Sequence, residues 1–142
     1  MIYLPDVNVW IALAERHSHH PTARRWFASL RDDKLTFCRI TQLGFLRLLA
    51  NRHVMQEEVM NPDEAWQVYD RLRLDRRIGY LREPGGLPEV WRKFRPSQPS
   101  SPNLWTDAYL CAFCHAAEST LLTFDAKIPA TEDVRCLVLR GN

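Results

Sequence analysis

No apolar run in this chain approaches the roughly 20 residues that a membrane-crossing helix needs, so no spanning helix is expected. The amino terminus also lacks the basic segment and apolar core of a secretory signal, which points to a cytoplasmic protein. Cysteine is sparse, with four among 142 residues, and in a reducing compartment these are thiols before they are disulfides. Cys111-x-x-Cys114 lies within the apolar run Ala108 to Ala117, without the loop of a zinc knuckle. Cys38 and Cys136 fall in strand-like segments, so all four read as buried structural residues. Strong charge is missing as well: a net +2 and a pI near 8.4 are too mild to mark a nucleic-acid binder. No repeat and no second-domain boundary is visible, and 142 residues at 46% hydrophobic suit a single domain over 1–142.

The charge that is present is unevenly spread. Arg71 to Arg95 holds eight basic residues against Asp75, Glu83 and Glu89, a net +5 that leaves −3 for the remainder. Such asymmetry suits either a phosphate-bearing partner or a solvated helix face. The first stretch is the most organised. Ile2 to Leu4 reads as a short strand and Val9 to Leu13 as the buried face of a helix, with Pro5 and Asn8 marking the turn. Asp6 sits at the joint. It either caps the helix or faces the crevice that open α/β sheets form beyond the carboxyl ends of their strands.

Further on, Thr22 to Leu30 has helical spacing, and Leu35 to Cys38 reads as a second strand. Thr41 is expected to cap a third helix, Gln42 to Ala50, closing near Asn51. Three nearby histidines, His17, His19 and His20, sit in a polar turn with side chains pointing different ways, which is poor metal geometry. Asn61-Pro62-Asp63-Glu64 is a strong helix start for a segment reaching Leu74. Ile78 to Leu81 is a short strand, and Pro88 to Phe94 a short helix. Pro96 to Pro102 is an exposed loop. Asn103 to Glu118 is the most apolar helix and carries Asp107 about one turn in. Thr120 to Phe124 is a strand followed at once by Asp125, Lys127 to Arg135 is a connection broken by Pro129, and Cys136 to Leu139 is a last strand. Strands alternating with helices imply a parallel sheet covered on both sides.

Asp6 and Asp125 therefore share a description, each just past a buried strand, and Asp107 can reach the same crevice if its helix runs back along the sheet. Three carboxylates within about 5 Å repel by about 3 kcal/mol per pair at an effective dielectric near 20, which calls for a cation. All-oxygen ligation selects Mg²⁺ or Mn²⁺, whose retained waters include a potential nucleophile. Carboxylates, a hard metal and a basic flank together suggest phosphodiester hydrolysis. An aspartyl-phosphate phosphatase using Asp6 is disfavoured, because Asn8 stands where such an enzyme needs a second aspartate.

Leu4-Pro5-Asp6-Val7-Asn8-Val9-Trp10-Ile11-Ala12-Leu13, His20-x-x-Ala23-x-x-Trp26, Thr41 to Leu49, Trp105-Thr106-Asp107-Ala108-Tyr109-Leu110 and Leu122-Thr123-Phe124-Asp125 resemble the successive motifs of a PIN domain. The set is most similar to the VapC-type toxins of VapBC toxin-antitoxin pairs and spans nearly the whole chain. The resemblance implies a three-layer α/β/α fold with a parallel sheet of order 3-2-1-4-5. It also implies an Mg²⁺- or Mn²⁺-dependent endoribonuclease, usually dimeric, held inactive by a VapB-like antitoxin. Carried onto this sequence, Asp6 and Asp107 are the principal metal ligands and Asp125 a further one, with Asn8, Thr106 and Thr123 as supporting groups. Arg47, Arg76 and Arg77 are candidates for RNA or antitoxin contact. One departure stands out, since Gly44 occupies the position where the family typically has a glutamate. The alternative function is accordingly a PIN-fold module that binds RNA or an antitoxin without cutting.

Overall fold

Alternation along the short apolar strands sends successive side chains to opposite faces of one sheet. Leu4 and Leu121 join one core cluster, whereas Leu35, Phe37 and Leu122 join the other. The strands are Ile2–Pro5 (β1), Lys34–Phe37 (β2), Ile78–Tyr80 (β3), Thr120–Thr123 (β4) and Cys136–Val138 (β5). All pair in parallel in the order β3-β2-β1-β4-β5, which is the expected topology. The structure, a computed structural model, describes residues 1–14, 19–94, 102–125 and 134–140. His17, the 96–101 part of the expected loop and the 127–133 part of the expected connection lie outside the described residues.

Helices cover both faces. Val7–Ala14 (α1), His20–Ala28 (α2), Arg39–Leu49 (α3) and Pro62–Arg73 (α5) pack around the first cluster, and Leu87–Lys93 (α6) and Pro102–Ala116 (α7) around the second. Phe37 is the hub of the first. It stacks on Trp10 at 3.7 Å between ring centroids and meets Phe45 at 5.6 Å and Tyr69 at 4.9 Å. The expected reciprocal cap of α5 forms, with Glu64 N–H donating to Asn61 Oδ1 at 2.8 Å and Asn61 N–H to Glu64 Oε1 at 3.2 Å.

Several boundaries differ from the sequence expectation. β1 continues through Pro5, whose missing N–H is tolerated at a strand end, so the turn into α1 is Asp6 alone. Thr41 is not the N-cap of α3, which begins two residues earlier, after Cys38. Its hydroxyl instead reaches back, accepting from Cys38 N–H at 3.0 Å and donating to Cys38 O at 3.1 Å. Asn51 does not end α3 but caps a further short helix, Arg52–Met55 (α4), accepting from His53 N–H at 2.9 Å. The other differences are shifts of one or two residues at fraying ends.

At Gly44, α3 packs closely against Val7 of α1. A Cβ built there would lie 2.7 Å from Val7 Cγ2, inside van der Waals contact with a stiff β-branched side chain. Gly44→Ala is therefore expected to lower stability by about 1 kcal/mol net, overpacking outweighing the helix propensity gained. On a Val7→Ala background the same substitution should raise stability by a similar amount; thermal melts of the four proteins check the reversal.

Candidate active site

The pairing of β1 with β4 runs Tyr3 to Thr120, Leu4 to Leu121 and Pro5 to Leu122, so the residues after Pro5 and Leu122 emerge side by side at the carboxyl edge. Asp6 N–H continues the ladder, donating to Leu122 O at 2.9 Å. Its carboxylate is buried, at 8% exposure, and accepts from Val9 N–H at 3.2 Å. Asp6 thus caps α1, and it also stands at the carboxyl edge within electrostatic reach of Asp107 and Asp125. Thr123, fully buried, donates its hydroxyl to the other Asp6 oxygen and accepts from Asp125 N–H at 2.9 Å. One threonine therefore fixes the Asp6 carboxylate and the backbone from which Asp125 projects.

Asp107 lies on α7, half-buried, close enough to feel both other acids. Burial, then the charges of Asp6 and Asp125, push its carboxyl up to about 6. The Asp6 carboxyl is also raised, chiefly by burial and to a lesser degree by Asp125, against the lowering effect of donors from Thr123, Val9 and Asn8. The three acids share one electrostatic site, although among the described residues no three His, Cys, Asp or Glu side chains are drawn into a ready-made metal cage. The donor set is hard and oxygen-only, and the mutual repulsion is of the kind a divalent cation relieves, so the residues present fit Mg²⁺ or Mn²⁺.

The other sequence candidates scatter. Asn8 and Thr106 are exposed beside Asp6 and Asp107, and Asn8 acts on Asp6 through its backbone. Arg47 is exposed on the outer side of α3. Arg76 and Arg77 immediately precede β3, which in a parallel sheet puts them at the amino edge, opposite the acids. Arg77 is committed there: it pairs with Asp75 at 2.8 Å, donates to Phe27 O at 3.0 Å and lies 3.9 Å over the Phe27 ring. Gly44 supplies no acid, and the space a side chain would need is filled by Val7. His20 Nδ1 lies 2.6 Å from Ala12 O, and His19 stacks on Phe124 at 4.3 Å. Cys38, Cys111 and Cys114 are buried and none of the four cysteines is in a disulfide. Burial pushes Cys111 up to about 11 and Cys114 to about 12, which makes them poor nucleophiles. The sequence reading passed over Arg39, which lies two residues past β2 at the carboxyl edge; its signal is that position, next to the strand that carries Asp6.

Raised carboxyl pKa values give a definite pH dependence. A carboxyl whose folded pKa exceeds its unfolded value adds stability at low pH, and that stability is lost as pH rises through the folded value. Without metal, the melting temperature should therefore fall as pH rises through about 6, and Asp107→Asn should flatten that fall. Added Mn²⁺ should raise the melting temperature most above that pH, because it binds the ionised site; melts across pH with and without metal check both.

Comparison with known proteins agrees with this architecture. The sequence matches the PIN domain family over residues 3–134. Ribonuclease VapC41 of Mycobacterium tuberculosis is 40% identical over 128 residues, 86% of this chain and 88% of that protein. Among solved structures, VapBC2 from Rickettsia felis, bound to a DNA fragment from its promoter, superposes with a TM-score of 0.73 at 12% identity, covering 99% of this chain and 100% of that one. VapC20 of Mycobacterium tuberculosis, a sarcin–ricin loop cleaving toxin, superposes with a TM-score of 0.65 at 17% identity, covering 92% and 94%. With its sheet order, its acids at the carboxyl edge and a match along most of its length, this chain belongs to the PIN domain family.

Proposed function

We propose that this chain is the toxin of a VapBC-type toxin-antitoxin pair, a single-domain endoribonuclease that hydrolyses RNA phosphodiester bonds with Mg²⁺ or Mn²⁺. The observation that carries the reading is the convergence of Asp6, Asp107 and Asp125 at the carboxyl edge, with Thr123 joining Asp6 to Asp125. The 40% identity to a ribonuclease supports the same chemistry. The VapBC2 neighbour supports a VapB-like antitoxin as partner. A homodimer acting in the cytoplasm completes the proposal; among the described residues no helix is long and apolar enough to cross a membrane.

Within this reading Asp6 and Asp107 would hold the metal, and Asp125 would add a further ligand. When bound, the ion opposes phosphodiester charge and acidifies water. Thr123 prevents the Asp6 carboxylate from rotating, and the Val9 N–H at the start of α1 favours its ionised form. Burial of the pair excludes competing water. Gly44 favours one second reading, RNA or antitoxin binding without cleavage, because it leaves the crevice one acid short of the pattern the family typically shows.

Cleavage of end-labelled RNA by antitoxin-free protein should require Mg²⁺ or Mn²⁺, stop in EDTA and fall at least about 100-fold in Asp6→Asn. The variant should still fold, since asparagine also caps helices. Full activity in Asp6→Asn sinks the assignment of Asp6. Binding without cutting under every metal condition moves the function to the second reading.

A further inference from the structure

In a sheet of parallel strands every carboxyl end lies on one edge, and neighbouring strands are about 4.8 Å apart. That edge carries Asp6 after β1, Arg39 just beyond β2 and Arg82 just beyond β3. Arg39 is exposed, yet its guanidinium is held: it donates to the buried Gln42 Oε1 and lies 5.1 Å over the Tyr80 ring. Among the described residues no carboxylate pairs with it. A braced arginine without an acid partner, one strand from a carboxylate centre, is prepared for an anion from outside.

Trp105 stands in the first turn of α7, the helix that carries Asp107. It precedes Asp107 by two residues and keeps 58% of its surface exposed, forgoing burial that an indole normally takes. Tyr109 lies one helical turn below it on the same face of α7 and donates to Glu83 at 2.9 Å, next to Arg82. Trp105 thereby shares the face of α7 that meets Glu83, beyond the carboxyl end of β3 and next to Arg82.

We infer that Trp105 and Arg39 form the track for single-stranded RNA beside the scissile bond, a base stacking on Trp105 and a backbone phosphate resting on Arg39. This deepens the ribonuclease reading and rests on it. The acids repel a polyanion, so a positive flank is needed beside them, and an exposed ring with guanidinium groups is the combination that holds single strands with little sequence preference. The track replaces Arg76 and Arg77, which are at the far edge, as the source of RNA contact. Exposed Ile40 and Leu43 on α3 make a protein partner the competing occupant of this region.

The test is binding of a fluorescein-labelled single-stranded RNA by anisotropy, in Mg²⁺ and on an Asp6→Asn background to keep the RNA intact. Trp105→Ala should weaken binding by roughly 10-fold, within the range for one stacked base, while Trp105→Phe keeps most of the affinity. Arg39→Gln should reduce the salt slope of log affinity by about 0.7, the signature of one lost phosphate contact. An abasic nucleotide at one position should weaken the parent but not Trp105→Ala, a coupling that a purely structural tryptophan does not produce. Unchanged RNA affinity in both Trp105→Ala and Arg39→Gln, with wild-type protein that cuts RNA, overturns the inference and leaves the ribonuclease standing. The same result with altered self-association or antitoxin binding assigns the surface to a protein and also overturns it. If wild-type protein neither binds nor cuts RNA, both fall.

Discussion

The site depends on the parallel pairing of β1 with β4. Side chains in a strand repeat every two residues, so slipping this pair by one residue exchanges the faces of Leu121 and Leu122 and carries Thr123 away from Asp6. The two leucines, fully buried in opposite clusters, lock the register. That register in turn lets a buried threonine reach a buried carboxylate. The apolar layers above and below the sheet thus set the chemistry at its edge.

Holding several acids together is unfavourable for a folded chain, and the structure compensates locally. The backbone donors at the start of α1 and the Thr123 hydroxyl stabilise the Asp6 charge, but they do not cancel the effect of burial. Among the described residues Asp107 has no comparable set of donors, and burial with two neighbouring charges pushes its carboxyl up to about 6. The remaining electrostatic imbalance is of the kind that a divalent cation would relieve. At Gly44 packing leaves no room for a side chain, because Val7 fills the space beside the α3 backbone.

Charge along the chain is reorganised by the fold. The basic segment 71–95 looks continuous in the sequence, but β3 runs through it from one edge of the sheet to the other. Arg76 and Arg77 remain at the amino edge, where Arg77 braces α2, whereas Arg82 reaches the carboxyl edge. Arg39, outside the segment altogether, lies nearer the acids through strand adjacency.

The sequence by itself determined the parallel α/β class, the order of the strands and of the helices other than α4, the cap of α5 and the places of Asp6 and Asp125 just past apolar strands, because these rest on local periodicity and turn chemistry. It also marked Thr123, but only as a polar group available nearby. The cap at Cys38 with Thr41 reaching back, the single-residue turn at Asp6, the dual role of that carboxylate and the separation of the arginines were decided by tertiary structure. Apart from the local Thr41 cap, each depends on groups that arrive from residues distant in sequence: Leu122 O accepting from Asp6 N–H, the Thr123 hydroxyl reaching the Asp6 carboxylate and Phe27 O accepting from Arg77. Local patterns carry no information on such distances. Register and helix packing supply it.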